Sequence, residues 1–241
     1  MDDERSRRIA ARFAPGVGTT LHESLCERCV EILRVQGAGI SIMSGRHSGP
    51  VCSSSERVRE LEDLQFSLGE GPCHDAYTTG TMVAVPDLVS RTNIDWPNYT
   101  PSALELGTCA VFAFPLQVGA GVVGVLTLYQ GTVGMLTEEQ VADGLVLAHL
   151  LPPIMSAIQA RAPKPLPAGV LSDADAHRAE VHQASGMTAV QLGIHADEAL
   201  IRMRAHAYAT SQTVAEVAGE ILAHRLHMGD DRSDDTEPPH D

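Results

Sequence analysis

Lysine is almost missing from this chain. Of 17 basic residues only Lys164 is one, against 31 acidic residues, and the formal charge is −14 with a pI near 5.1. Such a balance excludes an indiscriminate nucleic-acid coat and an anionic-membrane binder, because both need summed positive charge. Aromatic residues make up only 4%, with Trp96 the single tryptophan. No apolar run approaches the roughly 18 residues that a spanning helix needs. The start, Met1-Asp-Asp-Glu-Arg-Ser-Arg-Arg, is charged and polar, so no signal peptide is expected and the chain reads as a soluble cytoplasmic protein with no membrane partner. Five cysteines (Cys26, Cys29, Cys52, Cys73 and Cys109) are too few for a disulfide scaffold. Their odd number favours reduced thiols. Cys26 and Cys29 have CxxC spacing but lack the second pair a zinc site needs, so no metal is expected. There is no phosphate loop, HExxH helix or nucleophile elbow, and no internal repeat.

What is present divides the chain. Arg161-Ala-Pro-Lys-Pro-Leu-Pro-Ala-Gly has prolines at alternate positions, which remove backbone donors and favour extended backbone. The expected organisation is a sensor domain over 1–160, a Pro-rich linker over 161–171, a helical domain over 172–228 and a disordered acidic tail over 229–241.

The front part mixes two periods. Leu21, Leu25, Cys29, Ile32 and Leu33 recur at helical spacing, and 38–44 alternates like a strand. Residues 56–66 read as helix. Gly71 before Pro72 puts Cys73 in a helix's first turn. After a short strand at 81–86 and a short helix at 102–106 stopped by Gly107, the segments 108–118 and 122–129 form a hairpin around Gly119-Ala-Gly121. Thr137-Glu-Glu-Gln140 is a capping box opening a last helix, which Pro152-Pro153 is expected to break or hinge. This predicts an α+β domain, an antiparallel sheet with flanking helices. The back part is all α, three short helices that must pack as a bundle or on a partner. Val181, Ala184, Thr188 and Leu192 face inward from the first, Ala199, Leu200, Met203 and Ala207 from the second, and Val214, Val217, Ala218 and Ile221 from the third.

Gly69-Glu-Gly-Pro-Cys, Val85-Pro-Asp-Leu, Trp96-Pro, Phe114-Pro-Leu and Gly124-Val-Leu-Thr-Leu-Tyr resemble the motifs of actinobacterial GAF domains. Ala184-Ser-Gly-Met, Gln191-Leu-Gly, Glu198-Ala-Leu, Met203-Arg-Ala-His-Ala and Val214-Ala-Glu-Val-Ala resemble an ANTAR domain, a three-helix RNA-binding module of transcription antiterminators. The resemblance implies a GAF-like sensor for an unidentified small ligand, with no cofactor specified. It further implies an RNA reader acting as a homodimer on paired hairpin loops. Arg204 matches the arginine of that family's second helix.

Spacing alone leaves two readings of the helical part. Arg204 and Tyr208 lie four apart on one flank of the second helix, and Arg202 and His206 on the other. A guanidinium binds phosphate or stacks on a base, and a neighbouring ring can stack a splayed base. With Arg225 these are the candidate RNA-binding residues. Equally, Arg204 could pair with Glu198 or Glu216 while Tyr208 packs on the bundle. In the sensor, Cys73 gains thiolate character at a helix start. With His74 and Cys109 it is a candidate for ligand or redox sensing, or else a small buried hydrophobe.

Three functions follow: an RNA-binding antiterminator under sensor control, a protein–protein interaction regulator without RNA, and a GAF-fold thiol reductase using Cys73 and Cys109. The third is the minority reading, and the expectation is no enzyme. Charge sharpens the first. Residues 173–228 hold four arginines, seven acidic residues and six histidines, a net of −3, and 229–241 holds −5. That fits a selective reader, aided by histidine protonation and opposed by an acidic tail, rather than a general one.

Overall fold

The structure, a computed structural model, describes residues 3–13, 25–44, 47–90, 95–161 and 173–229. Their elements, in chain order, are α1 (Asp3–Arg12), α2 (Leu25–Leu33), β1 (Gly37–Ser44), β2 (His47–Ser53), α3 (Glu56–Leu68), α4 (Pro72–Thr79), β3 (Val83–Val85), α5 (Tyr99–Glu105), β4 (Ala110–Val118), β5 (Gly121–Gln130), α6 (Glu138–Arg161), α7 (Asp173–Leu192), α8 (Ala196–Thr210) and α9 (Val214–Leu222). The chain separates into two compact units between Pro167 and Ala168. The segments 162–172 and 230–241, on which the linker and tail expectations fall, lie outside the described residues, as does Leu21.

Local chemistry sets the turns of the first unit. Gly119, at φ 61°, and Ala120 reverse the chain between β4 and β5, which pair from Val118↔Gly121 to Ala110↔Gln130. The five strands order as β2-β1-β5-β4-β3, every neighbour antiparallel. Because strand side chains alternate with period two, the sheet has two covered faces. On one, Ala38, Ile40, Phe112, Phe114, Leu126 and Leu128 meet Leu25, Cys29 and Leu33 of α2 and Leu147, Leu151 and Met155 of α6. On the other, Val111 and Tyr129 pack with Val58 and Leu61 of α3 and Tyr99 of α5, while Ala113 and Val125 pack with Cys73 and Ala76 of α4. Gly144 lets α6 approach the sheet, since a Cβ there would lie 2.7 Å from the Phe114 ring.

Helix α6 runs through Pro152 and Pro153 as one helical element, so the break expected there does not occur. Each interior proline removes a hydrogen bond and costs about 3 kcal/mol. The offset is packing: Leu147, Leu151, Pro152 and Met155 are all buried, and each large apolar side chain so buried returns roughly 1.5–3 kcal/mol. The capping box at its start is present, with Thr137 Oγ1 accepting from the Gln140 N–H at 3.2 Å and Gln140 Oε1 accepting from the Thr137 N–H at 2.8 Å.

The thiols are not all reduced. Cys26 of α2 and Cys52 of β2 form a disulfide, their Cα atoms 5.8 Å apart. The strand β2, absent from the sequence reading, carries Cys52 beside α2. Cys29 is free and buried, on the apolar stripe, and burial pushes its thiol up to about 12.

In the second unit, the inward stripes of α8 and α9 are buried as their periodicity predicts, and Val181, Ala184 and Thr188 of α7 are buried with them. Thr213 and Glu216 close a reciprocal capping box at the start of α9. Between α8 and α9 the chain turns through Ser211 at φ 55°.

Candidate functional site

A line of polar side chains is buried against one face of the sheet, within a region rich in apolar residues. Glu62 of α3 is 4% exposed. Its carboxylate accepts from Ser41 Oγ of β1 at 2.6 Å and from the Tyr129 hydroxyl of β5 at 2.7 Å. One turn later Gln65 donates from Nε2 to the Tyr129 oxygen at 2.9 Å, and its Oε1 accepts the Cys73 N–H of α4 at 2.8 Å. Glycines make the room: a Cβ at Gly39 would lie 2.6 Å from Glu62, and one at Gly71, φ 125°, would lie 2.6 Å from Gln65. Buried polar groups must find partners, and this network ties two strands to two helices.

Tyr99, at the start of α5, stands beside the network. It is fully buried, edge-on to Trp96 with ring centroids 6.1 Å apart, and its hydroxyl makes no hydrogen bond. Burial holds the Tyr99 phenol well above its ordinary range, with the charges of Glu62 and Cys73 adding to the shift. Tyr129 is pushed up in the same way, first by burial and then by Glu62. The Glu70 carboxylate accepts the Asn98 and Tyr99 N–H groups at 2.7 Å each, fixing the approach to α5.

Of the expected sensing residues, Cys73 lies in the first turn of α4 and is buried, 4% exposed, beside Met43, Ala76, Ala113 and Val125. His74 is half-buried, its Nε2 3.1 Å from the Gln65 carbonyl. Cys109 is half-buried just before β4, its N–H bonded to the Gln130 carbonyl. Neither Cys73 nor Cys109 is in a disulfide, and Cys109 is not part of the buried cluster around Cys73. Asp87 caps its own turn, accepting from Val89 N–H and from the N–H and hydroxyl of Ser90, and the Ser90 bonds lower its pKa. Two clefts lie on the α6 side of the sheet. One of about 400 Å³ is lined by Arg8, Arg12, Arg34 and Gln140, and one of about 300 Å³ by Met82, Pro115, Leu145 and His149. Neither is lined by Cys73, His74 or Cys109.

In the second unit α8 carries four of the five candidate RNA residues. Tyr208 is 74% exposed and Arg204 half-buried, one turn apart. Arg202 is exposed and pairs with Glu198 at 2.9 Å across one turn, and His206 is half-buried. Arg225 is exposed beyond the end of α9. Glu198 thus partners Arg202, and Glu216 is engaged by Thr213, whose backbone and side-chain bonds lower its pKa.

The sequence reading missed Glu62, Gln65, Tyr99 and Tyr129. Glu62 and Gln65 sit in a charged helical run and carried no motif. The available signal was Gly39 and Gly71, small residues at positions where another side chain must come close.

A GAF domain model matches residues 19–151, and an ANTAR domain model matches residues 170–222. Both are regulatory domain families. Among solved structures, the GAF domain of a phosphoenolpyruvate-protein phosphotransferase from Coxiella burnetii is 17% identical with a TM-score of 0.51, covering 66% of this chain and 94% of that one. The GAF domain of the corresponding Acinetobacter protein is 13% identical with a TM-score of 0.49, covering 68% and 100%. A free methionine-R-sulfoxide reductase from Neisseria meningitidis, solved with its substrate, is 15% identical with a TM-score of 0.48, covering 67% and 96%. The first of these likenesses shows the fold alone. No curated protein matches the chain. Among the described residues no helix is long and apolar enough to cross a membrane, and no group of three potential ligands could hold a metal ion.

Proposed function

Because the chain belongs to the GAF domain family and carries an ANTAR domain behind it, we propose that it is a signal-responsive transcription regulator whose GAF unit senses a small molecule and whose α7–α9 unit binds nascent RNA. Holding a hairpin loop there prevents a terminator from forming, which makes the protein an antiterminator. It acts in the cytoplasm as a homodimer, one copy for each of two paired hairpins.

The observation that carries this reading is the exposure of Tyr208. A tyrosine 74% open to solvent, one turn from Arg204 on α8, offers a flat face for an unpaired base beside a guanidinium that can meet phosphate. The Arg202–Glu198 pair, on the other flank of α8, is exposed and local. Such i,i+4 pairs contribute about 0.3–0.5 kcal/mol, so exchanging the carboxylate for a phosphate costs little. His206 on α8 and Arg225 beyond α9 are the remaining RNA candidates, while Cys73, His74 and Cys109 remain the sensing candidates of the GAF unit.

A second reading, a protein-binding regulator without RNA, is favoured by the exposure of Val190 at 84% and Ile201 at 39% in the same unit. Titrating the full chain with a hairpin RNA, together with a terminator read-through assay, separates the two. Arg204→Ala abolishes both signals under the RNA reading. Undiminished RNA binding by Arg204→Ala, or none by the parent chain, overturns it.

A further inference from the structure

We propose that Cys26 and Cys52 form a reversible thiol–disulfide switch, opened by a dithiol reductant, that fastens or frees the sheet's edge strand β2. This goes beyond the RNA reading and does not depend on it.

The two sulfurs differ in their surroundings. Cys26 is fully buried on α2, whereas Cys52 is half-buried on β2, an edge strand that among the described strands pairs with β1 alone. A reductant therefore meets the bond at Cys52, on an edge strand of the sheet. The third thiol nearby, Cys29, lies one turn beyond Cys26 and is completely buried. With its pKa raised to about 12 it stays protonated at neutral pH and does not attack the disulfide, since exchange needs a thiolate. The pair thus has two defined states rather than a scramble of three.

The strand beside β2 carries the state to the other face of the sheet. Cys52 pairs with Ile40 of β1, and the β1–β2 register slips between Ile40 and Ser41. Ile40 points into the core shared with α2, and the next residue, Ser41, donates to the buried Glu62 carboxylate. Adjacent residues of β1 therefore face the disulfide strand's register irregularity and the polar network that reaches Tyr129, Gln65 and the Cys73 N–H. Freeing β2 from α2 loosens the pairing at the irregularity and, through Ser41, the hold on Glu62.

The chemistry balances. A thiolate of the dithiol attacks Cys52 Sγ, the S–S bond breaks, and its electron pair goes to the Cys26 sulfur, which takes a proton to become a buried thiol. The reductant's second thiolate then attacks its own sulfur in the mixed disulfide and releases Cys52. Two electrons and two protons pass to the protein, and the dithiol leaves as its disulfide.

The test uses the full chain, with dithiothreitol and its oxidised form as the probe couple. Thiols are counted after acid quench and denaturation, and the bridge is located by peptide mapping. Three thiols are expected under oxidising conditions and five after native reduction, returning to three on reoxidation. Cys29→Ser should show two and four, keeping the same bridge. On reduction, amide exchange in 47–53 should quicken tenfold or more while α7–α9 is unchanged, and the first unit's Tm should fall by roughly 5–10 °C. Five free thiols under oxidising conditions overturn the proposal. So does a bond reducible only after the chain is unfolded, or a reduction that leaves β2 exchange unaltered.

Discussion

The Tyr129 hydroxyl donates to the Glu62 carboxylate at 2.7 Å, joining residues 67 apart in sequence inside the protein. A carboxylate at this depth is tolerable because two hydroxyls face it, and the same oxygen of Tyr129 receives Gln65. One phenol thus serves a strand, a carboxylate and an amide at once.

Tyr129→Phe keeps the ring and removes that oxygen. Glu62 loses a donor and Gln65 an acceptor, both buried. The expected cost is about 1–3 kcal/mol, seen as a Tm lower by roughly 2–10 °C in a thermal melt with unchanged helical content. A melt within a degree of wild type contradicts the network's structural weight.

Gly144→Ala places a Cβ 2.7 Å from the Phe114 ring. Helix propensity alone favours alanine by ~1 kcal/mol, yet overpacking of about 1–3 kcal/mol should outweigh it. Denaturant titration should show net destabilisation, relieved by Phe114→Leu in the same chain. Stabilisation by Gly144→Ala would mean that propensity wins and the contact yields.

Tyr208 separates stacking from packing. At 74% exposure its removal should leave the melt within about 0.5 kcal/mol of wild type. A base stacked on it contributes about 1–3 kcal/mol, so Tyr208→Ala should weaken hairpin binding by roughly 5- to 150-fold and Tyr208→Phe by little. Equal losses in the two variants would assign the effect to the hydroxyl instead.

Glu216 gives a pH signature. Its hydrogen bonds to Thr213 hold its folded pKa below the ordinary 4.5. A depressed carboxylate contributes stability that is present above the unfolded pKa and lost as pH falls through the folded one. The urea midpoint of Glu216→Gln should therefore lie below wild type near pH 6, and the gap should shrink as pH falls below the ordinary carboxylate value of 4.5. A gap independent of pH would remove the carboxylate's charge from the cap.

Much of this was written in neighbouring residues. The inward stripe Ala199, Leu200, Met203 and Ala207, the Gly119-Ala120 turn and the capping boxes at Thr137 and Thr213 each involve partners within about four positions, where helix and turn geometry alone decides who meets whom. The amino-acid order by itself therefore determined the helices of the second unit, the central hairpin and the alternation of the sheet's two faces. The candidates on α8 were legible for the same reason, since Arg204 and Tyr208 are one turn apart. Tertiary structure alone decided that β1 lies beside β5, that Cys26 finds Cys52 rather than Cys29, and that Glu62 meets Ser41 and Tyr129. It also decided that α6 crosses two prolines intact, because core packing on one face of that helix outweighs two missing hydrogen bonds. These outcomes join residues separated by tens of positions or weigh burial against local preference, and no local period carries either quantity.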